Sequence, residues 1–145
     1  MKNILSLLVA ALAVASTAAA TPILRITEVM SSSGTGGTVD WFEVTNYGDT
    51  VAEITGYKMD DNSFNFAVSV PLNGVTSIAP GESVIFLESS GGAAIASFRT
   101  FWDLGEAPQI GYYSGSGVGF SSGGDGVVVF DASGAEVTPR TNFGA

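Results

Sequence analysis

The amino-acid sequence predicts an all-β fold, a β-sandwich carrying one short helix, behind an N-terminal signal peptide. Three observations lead there. Short apolar stretches with a two-residue period recur along the chain, separated by turn signals roughly every eight to twelve residues. Glycine supplies 19 of the 145 residues, close to twice the average usage of about 7%, and gathers in those turns. Finally, Asp40-Trp41-Phe42-Glu43-Val44-Thr45-Asn46 reads as a central strand. Its Phe42 and Val44 share one face, and Trp41, Glu43 and Thr45 share the other.

The first twenty residues stand apart. Lys2 provides a positive start, Ile4 to Ala15 an apolar run, and Ala18-Ala19-Ala20 a small-residue cleavage site before Thr21, the layout of a secretory signal peptide. The run is shorter than the roughly 20 residues that span a bilayer, so residues 1–20 are expected to be removed and residues 21–145 to form one domain. No second stretch is long enough to cross a membrane. A secreted, periplasmic or cell-surface location follows.

From Thr21 onward each element has its own signal. Leu24 and Ile26 alternate with Arg25 and Thr27, and then the alternation shifts: Glu28 falls on the apolar side and Val29 on the polar one. Either a bulge or the end of the sheet accounts for that. Ser31 to Thr38 is a polar loop. After the turn at Asn46-Tyr47-Gly48-Asp49 come short strands at Val51 to Ile54 and Tyr57 to Met59, and a turn at Asp60 to Ser63. Phe64 to Val68 is expected as a strand with both rings on one face. Ala79-Pro80-Gly81-Glu82 has the Pro and Gly of a type II turn. Ser83 to Glu88, apolar throughout its middle, is expected to be buried on both faces.

One segment is helical. Ile95, Phe98 and Trp102 follow helical spacing, with Ser89 and Ser90 as candidate caps. The expected role is a short helix whose aromatic stripe plugs one end of the sandwich. Ile110 to Tyr113 and Gly126 to Phe130 are strands, and Asp131 to Gly134 turns the latter into a hairpin with Ala135 to Val137. Residues 138–145 are expected to add no element.

Composition excludes several functions. The chain has 14 acidic and 5 basic residues, a net charge of −9, and loss of Lys2 with the signal peptide makes it −10 (14 acids against 5 − 1 bases). Arg25, Lys58, Arg99 and Arg140 are scattered singly, so no basic surface exists to hold nucleic acid. Cysteine and histidine are both absent. The core must hold without disulfides, and Ser-His-Asp and Cys-His catalysis are ruled out. Gly115 to Gly119 lacks the lysine and the strand-to-helix setting of a phosphate loop.

The order of motifs resembles the lamin tail domain. Ile26-Thr27-Glu28-Val29, Asp40 to Asn46, Ile54-Thr55-Gly56-Tyr57-Lys58-Met59-Asp60-Asp61 and Ile78-Ala79-Pro80-Gly81-Glu82 carry the resemblance. Gly124 to Asp131 is similar to the penultimate strand of many bacterial members. The resemblance spans about residues 23–137. It implies an immunoglobulin-like sandwich with no established catalytic residues. Such domains are widespread in exported bacterial proteins, alone or appended to nucleases and phosphatases as attachment modules, and in nuclear lamins they mediate protein contacts. This chain lacks the lamin coiled-coil rod, and its signal peptide argues against a nuclear role. Similar domains usually add a final strand where this one stops, which implies a fragment or an open sheet edge.

The remaining reagents are carboxylates. Glu28, Glu43 and Asp40 are the candidates for paired-carboxylate chemistry, which needs a cleft with two carboxyls about 5 or 6.5–9.5 Å apart. A small sandwich rarely offers one, so no catalytic residue is assigned and the acids are read as structural. No cofactor-binding or metal residue is assigned either. The calcium alternative rests on Asp60, Asp61 and Asn62, with Asp125 and Asp131 offering more oxygens in another loop, although the spacing is not that of a calcium loop and Asp and Asn also simply form turns. Tyr47, Tyr57, Tyr112, Tyr113 and Phe120 lie beside loops, where they serve either as glycan or partner contacts or as packing at the edge of the core. The sequence thus points to an exported, non-catalytic binding or adhesion module for a protein or surface-glycan partner. A calcium-dependent glycan binder, or an accessory piece of a secreted hydrolase, is the alternative.

Overall fold

Two four-stranded sheets face each other across a core of phenylalanine, valine and isoleucine in the computed structural model, which describes residues 20–31 and 39–144. The expected signal peptide therefore lies, apart from Ala20, outside the described residues. Among those residues no helix is long and apolar enough to cross a membrane. The first sheet runs β1 (Leu24–Met30), β2 (Trp41–Asn46), β7 (Ser83–Glu88) and β8 (Gln109–Tyr113). The second runs β10 (Thr141–Phe143), β9 (Asp125–Phe130), β4 (Lys58–Asp60) and β5 (Val70–Pro71). A two-stranded ribbon of β3 (Ala52–Glu53) and β6 (Ser77–Ile78) helps close the core with Ala52, Ile54 and Ile78. This is the expected immunoglobulin-like sandwich, with one helix, α1 (Ala93–Phe101).

Alternation in β2 works as predicted. Phe42 and Val44 enter the core between the sheets, with the Phe42 ring stacked on Phe86 at 5.5 Å and tilted against Tyr113 at 5.6 Å. The unbroken apolar run of β7 has the expected cause. Val84 and Phe86 face that inner core, while Ile85 and Leu87 face outward into a second core with Trp41, Phe98 and Ile110. Gly81 sits at φ 75°, and the Glu82 N–H donates to the Ala79 carbonyl at 3.0 Å, closing the expected type II turn.

The shift in β1 is a bulge. Ile26 pairs with Val44, but Glu28 pairs with Glu43 and Val29 with Phe42. Thr27 is the extra residue. It turns Val29 inward to Phe42 and Glu28 outward to Glu43, so neither the apolar nor the charged side chain falls on the wrong face.

Four expectations are corrected. The helix does not plug the end of the sandwich: it lies over the outer face of the first sheet. Its position follows from β7 and β8 pairing in parallel, since a parallel pair needs a long crossover, and the crossover helix packs on the sheet face. Nor do Ser89 and Ser90 cap it; the cap position is Gly92, without a side-chain hydrogen bond. Phe64 to Val68 is not a strand. Phe64 adopts φ 47°, and the rings lie across the outside of the second sheet, Phe66 edge-on to Phe130 at 5.6 Å. Finally, Thr141–Phe143 does add an element, pairing antiparallel with Val127 to Asp125.

The turn after β2 is held by Asn46, which is fully buried. Its Oδ1 accepts the N–H groups of Ile23 (3.2 Å) and Gly48 (3.0 Å), while Nδ2 donates to the carbonyls of Thr50 (2.8 Å) and Ile78 (3.0 Å). One side chain thereby ties β1, the turn and β6 together, with both amide atoms satisfied, as burial of a polar group demands.

Phe42 is fully buried and touches three rings, so Phe42→Ala is expected to cost about 3–5 kcal/mol in denaturant melts. A loss below about 1 kcal/mol would mean that the core does not depend on this ring.

Candidate functional site

Beside α1 the outer face of the first sheet leaves a groove of about 630 Å³. Its floor is Trp41 and Ile85; Phe98, Trp102 and Leu104 form one wall, and Met30, Glu28 and Glu43 the other side. The rings brace one another: Trp41 meets Phe98 edge-on at 5.7 Å and Trp102 at 6.3 Å. Trp41 is buried, but Trp102 is 40% exposed and Phe101, edge-on to it at 5.3 Å, is 45% exposed. A large exposed ring such as Trp102 at the edge of a concavity is the arrangement that contact surfaces favour.

The groove's charge is one-sided. Glu28 and Glu43 sit directly opposite each other on neighbouring strands, an arrangement that repels. Glu43 is steadied by the Thr27 hydroxyl, which donates to its Oε1 at 2.5 Å. A hydroxyl row, Thr27–Thr45–Ser83, continues across the sheet with contacts of 3.0 and 2.6 Å. Asp103 and Glu106 are exposed in the loop that supplies Leu104 and Pro108. Arg99 on the helix is bound to the carbonyls of Gly105 and Pro108, and Arg25 to that of Leu24 at 3.3 Å.

Asp40 does not join Glu28 and Glu43. An odd offset of three along a strand puts residues on opposite faces, and Asp40, 3% exposed, points to the inner side. There its Oδ2 accepts the Phe120 N–H at 2.5 Å, and its carboxyl hydrogen-bonds that of Glu88. The Glu88 carboxyl lies against Gly119, where an added Cβ would come within 3.1 Å of Oε1. Below them the hydroxyl of Tyr113, a residue with no exposed surface, has no hydrogen-bond partner. Burial, then the neighbouring Asp40 charge, hold the Glu88 carboxyl above its ordinary pKa. Burial, Glu88, Asp40 and Asp125 together push the Tyr113 phenol up, so it stays protonated. Glu88 was legible by parity, because Val84, Phe86 and Glu88 alternate onto the inner face; the Tyr113 hydroxyl had no local signal.

The family model for the lamin tail domain matches residues 17–143. The chain belongs to the lamin tail domain family. No curated protein matches the sequence. The family is an immunoglobulin-like domain, as the two facing sheets show.

In this lamin tail domain the calcium candidates serve as turn formers. Asp60 Oδ2 accepts Ser63 Oγ–H (2.6 Å) and the Asn65 N–H (2.7 Å), and Asp61 Oδ1 accepts the Ser63 N–H (3.0 Å). The exposed Asn62 donates its N–H to Asp125 Oδ1 (3.2 Å), whose Oδ2 accepts the Ser121 N–H (2.6 Å). Asp125 is thus brought beside this turn, but its oxygens already meet backbone donors; Asp60 Oδ1, buried, has no hydrogen-bond partner. Asp131 lies at the far end of β9, where Ser133 and Ala135 bind its Oδ1. Among the described residues no group of three or more acidic side chains is placed to hold a metal ion. The loop aromatics separate: Tyr47 is exposed, Tyr57 and Tyr112 are partly covered, and Tyr113 and Phe120 are core residues.

Because the folded domain binds the Glu88 proton more tightly than the unfolded chain does, Glu88 stabilises fully below its ordinary carboxylate pKa. That contribution is lost as pH rises through the raised folded value. Melting temperatures measured from pH 4 to pH 8 in chelator should therefore fall more steeply for the wild type than for Glu88→Gln. Parallel curves would show that Glu88 titrates in the fold as it does in the open chain.

Proposed function

We propose that this lamin tail domain is an exported, non-catalytic binding module, and that its contact surface is the groove beside α1. The observation that carries the reading is the like-charge pair Glu28–Glu43 in one groove with the exposed ring of Trp102. Two carboxylates facing each other in a sheet cost stability, and the arrangement becomes favourable when an outside cation lies between them. The partner that fits is a protein segment presenting a lysine or arginine next to an apolar side chain. The aromatic wall takes the apolar group, and the carboxylates take the cation. The chain's net charge of −9 favours encounter with such a segment.

A hydrolytic role for the same two carboxylates is the competing reading. The absence of histidine and cysteine and membership of an immunoglobulin-like family favour binding. Turnover of a glycoside or ester substrate that vanishes in Glu28→Gln or Glu43→Gln would overturn the non-catalytic reading.

Titration with a peptide library alternating Lys or Arg with Leu, Ile or Phe, followed by tryptophan fluorescence, tests the groove. Trp102→Ala should weaken the best peptide by at least about ten-fold, the loss typical of an interface anchor. The Glu28→Gln, Glu43→Gln double variant should weaken it and remove most of its salt dependence. Equal binding of acidic and basic peptides would refute the assignment.

Export is tested by the intact mass of the secreted product. A chain beginning at Thr21 is expected, and a mature product that retains Met1 or Lys2 would exclude cleavage after Ala20.

A further inference from the structure

At one end of the sandwich, away from the groove, the start of β2, the ends of β7 and β8 and the Gly/Ser-rich segment 114–124 converge. Asp40, Glu88 and Tyr113 meet there. Asp40 and Tyr113 are buried, Glu88 is partly so, and the two carboxyls are in hydrogen-bond contact. Two carboxylates at that distance in a low-dielectric setting cannot both stay ionised without a compensating positive charge. The described basic side chains are engaged elsewhere: Arg25 at the Leu24 carbonyl, Lys58 over Phe66, Arg99 at Gly105 and Pro108, and Arg140 at Glu136. The Tyr113 hydroxyl has no exposure and no hydrogen-bond partner, although Tyr113 pairs with Glu88 across the β7–β8 ladder and the Glu88 N–H donates to the Asp40 carbonyl at 2.8 Å. That geometry suits a third species between the phenol and the acids.

We propose that Asp40 and Glu88 bind one calcium ion, with the Tyr113 hydroxyl hydrogen-bonded to a water in its coordination shell. Calcium fits better than magnesium. It takes six to eight oxygens in a flexible shell, and the glycines of segment 114–124 let backbone carbonyls supply part of it, whereas magnesium demands a rigid octahedron. Glycine at 119 leaves room for the Glu88 carboxyl, which a side chain there would crowd. With two protein carboxylates the affinity belongs in the range of about 10⁻⁴–10⁻³ M typical of extracellular modules. Asp40 Oδ2 keeps its bond from the Phe120 N–H, so the ion would pin segment 114–124 against the strand ends. The site is independent of the groove and of what the groove binds.

The test is thermal melting and calorimetric titration of the mature domain with calcium chloride at pH 7.5. Wild type should melt about 4–7 °C higher at a ten-fold excess over Kd. Glu88→Gln should fold, since the amide still donates to Asp40, and lose the calcium response. Tyr113→Phe keeps the ring packing and should weaken calcium by about ten-fold, the loss expected from a group that orients a ligand. Asp60→Asn with Asp61→Asn should leave the response intact. No shift at 10 mM calcium would overturn the proposal, leaving a proton as the pair's only counter-charge. So would a response unchanged in Glu88→Gln, or one abolished by the Asp60 and Asp61 substitutions.

Discussion

The strand at the centre of the first sheet must be dry on both sides, and the rest of the architecture answers that demand. β2 carries Phe42 and Val44 toward one core and Trp41 toward another. Burying the first pair needs the second sheet, with Val127 and Val129 of β9 and Met59 of β4. Burying Trp41 needs a cover on the opposite side, and α1 supplies it through Phe98. A β-sandwich without the parallel β7–β8 pair would have no crossover to place there. The helix is therefore part of how a sheet with two apolar faces is kept from water.

That division of labour also separates the acidic residues. Glu28 and Glu43 share the outer face with Trp41, while Asp40 and Glu88 share the inner one with Phe42 and Phe86. The outer pair is accessible and bordered by rings, which suits a partner's side chain. The inner pair lies under a glycine-rich segment and suits a small ion or a proton. β2 thereby borders two acidic pairs in different surroundings, and parity along the chain sends Glu43 to the outer pair and Asp40 to the inner one.

Parity is also what the sequence displays best. The faces of β2, the double burial of β7, the turn at Gly81 and the order of motifs along the chain were all readable from neighbouring residues. What could not be read depends on pairings between distant segments. The Phe64 to Val68 stretch has the composition of a strand, yet its rings are taken by Phe130 and its neighbours across the second sheet. The position of α1 is set by β8 lying parallel to β7, which no local pattern announces. Thr141–Phe143 looks like tail until β9 offers it an edge. Among the acids, Glu43 was placed on the Trp41 face by alternation, but the face of Glu28 depended on the bulge at Thr27. Glu88 was overlooked although its alternation with Phe86 pointed inward.

The bulge has one more consequence. β1 is a seven-residue edge strand, long enough to serve as a template for another chain's backbone. An intruding strand would have to match a ladder that slips by one residue at Thr27, and would meet the exposed Arg25 and Glu28 on either side of the slip. Irregular spacing and edge charge are the devices by which β-proteins resist sheet-to-sheet aggregation. The residue that aims Glu28 at the groove thus also guards the domain's colloidal behaviour. Deleting Thr27 would leave Ile26, Glu28 and Val29 in their present pairings but straighten the strand, opening a continuous edge to self-association.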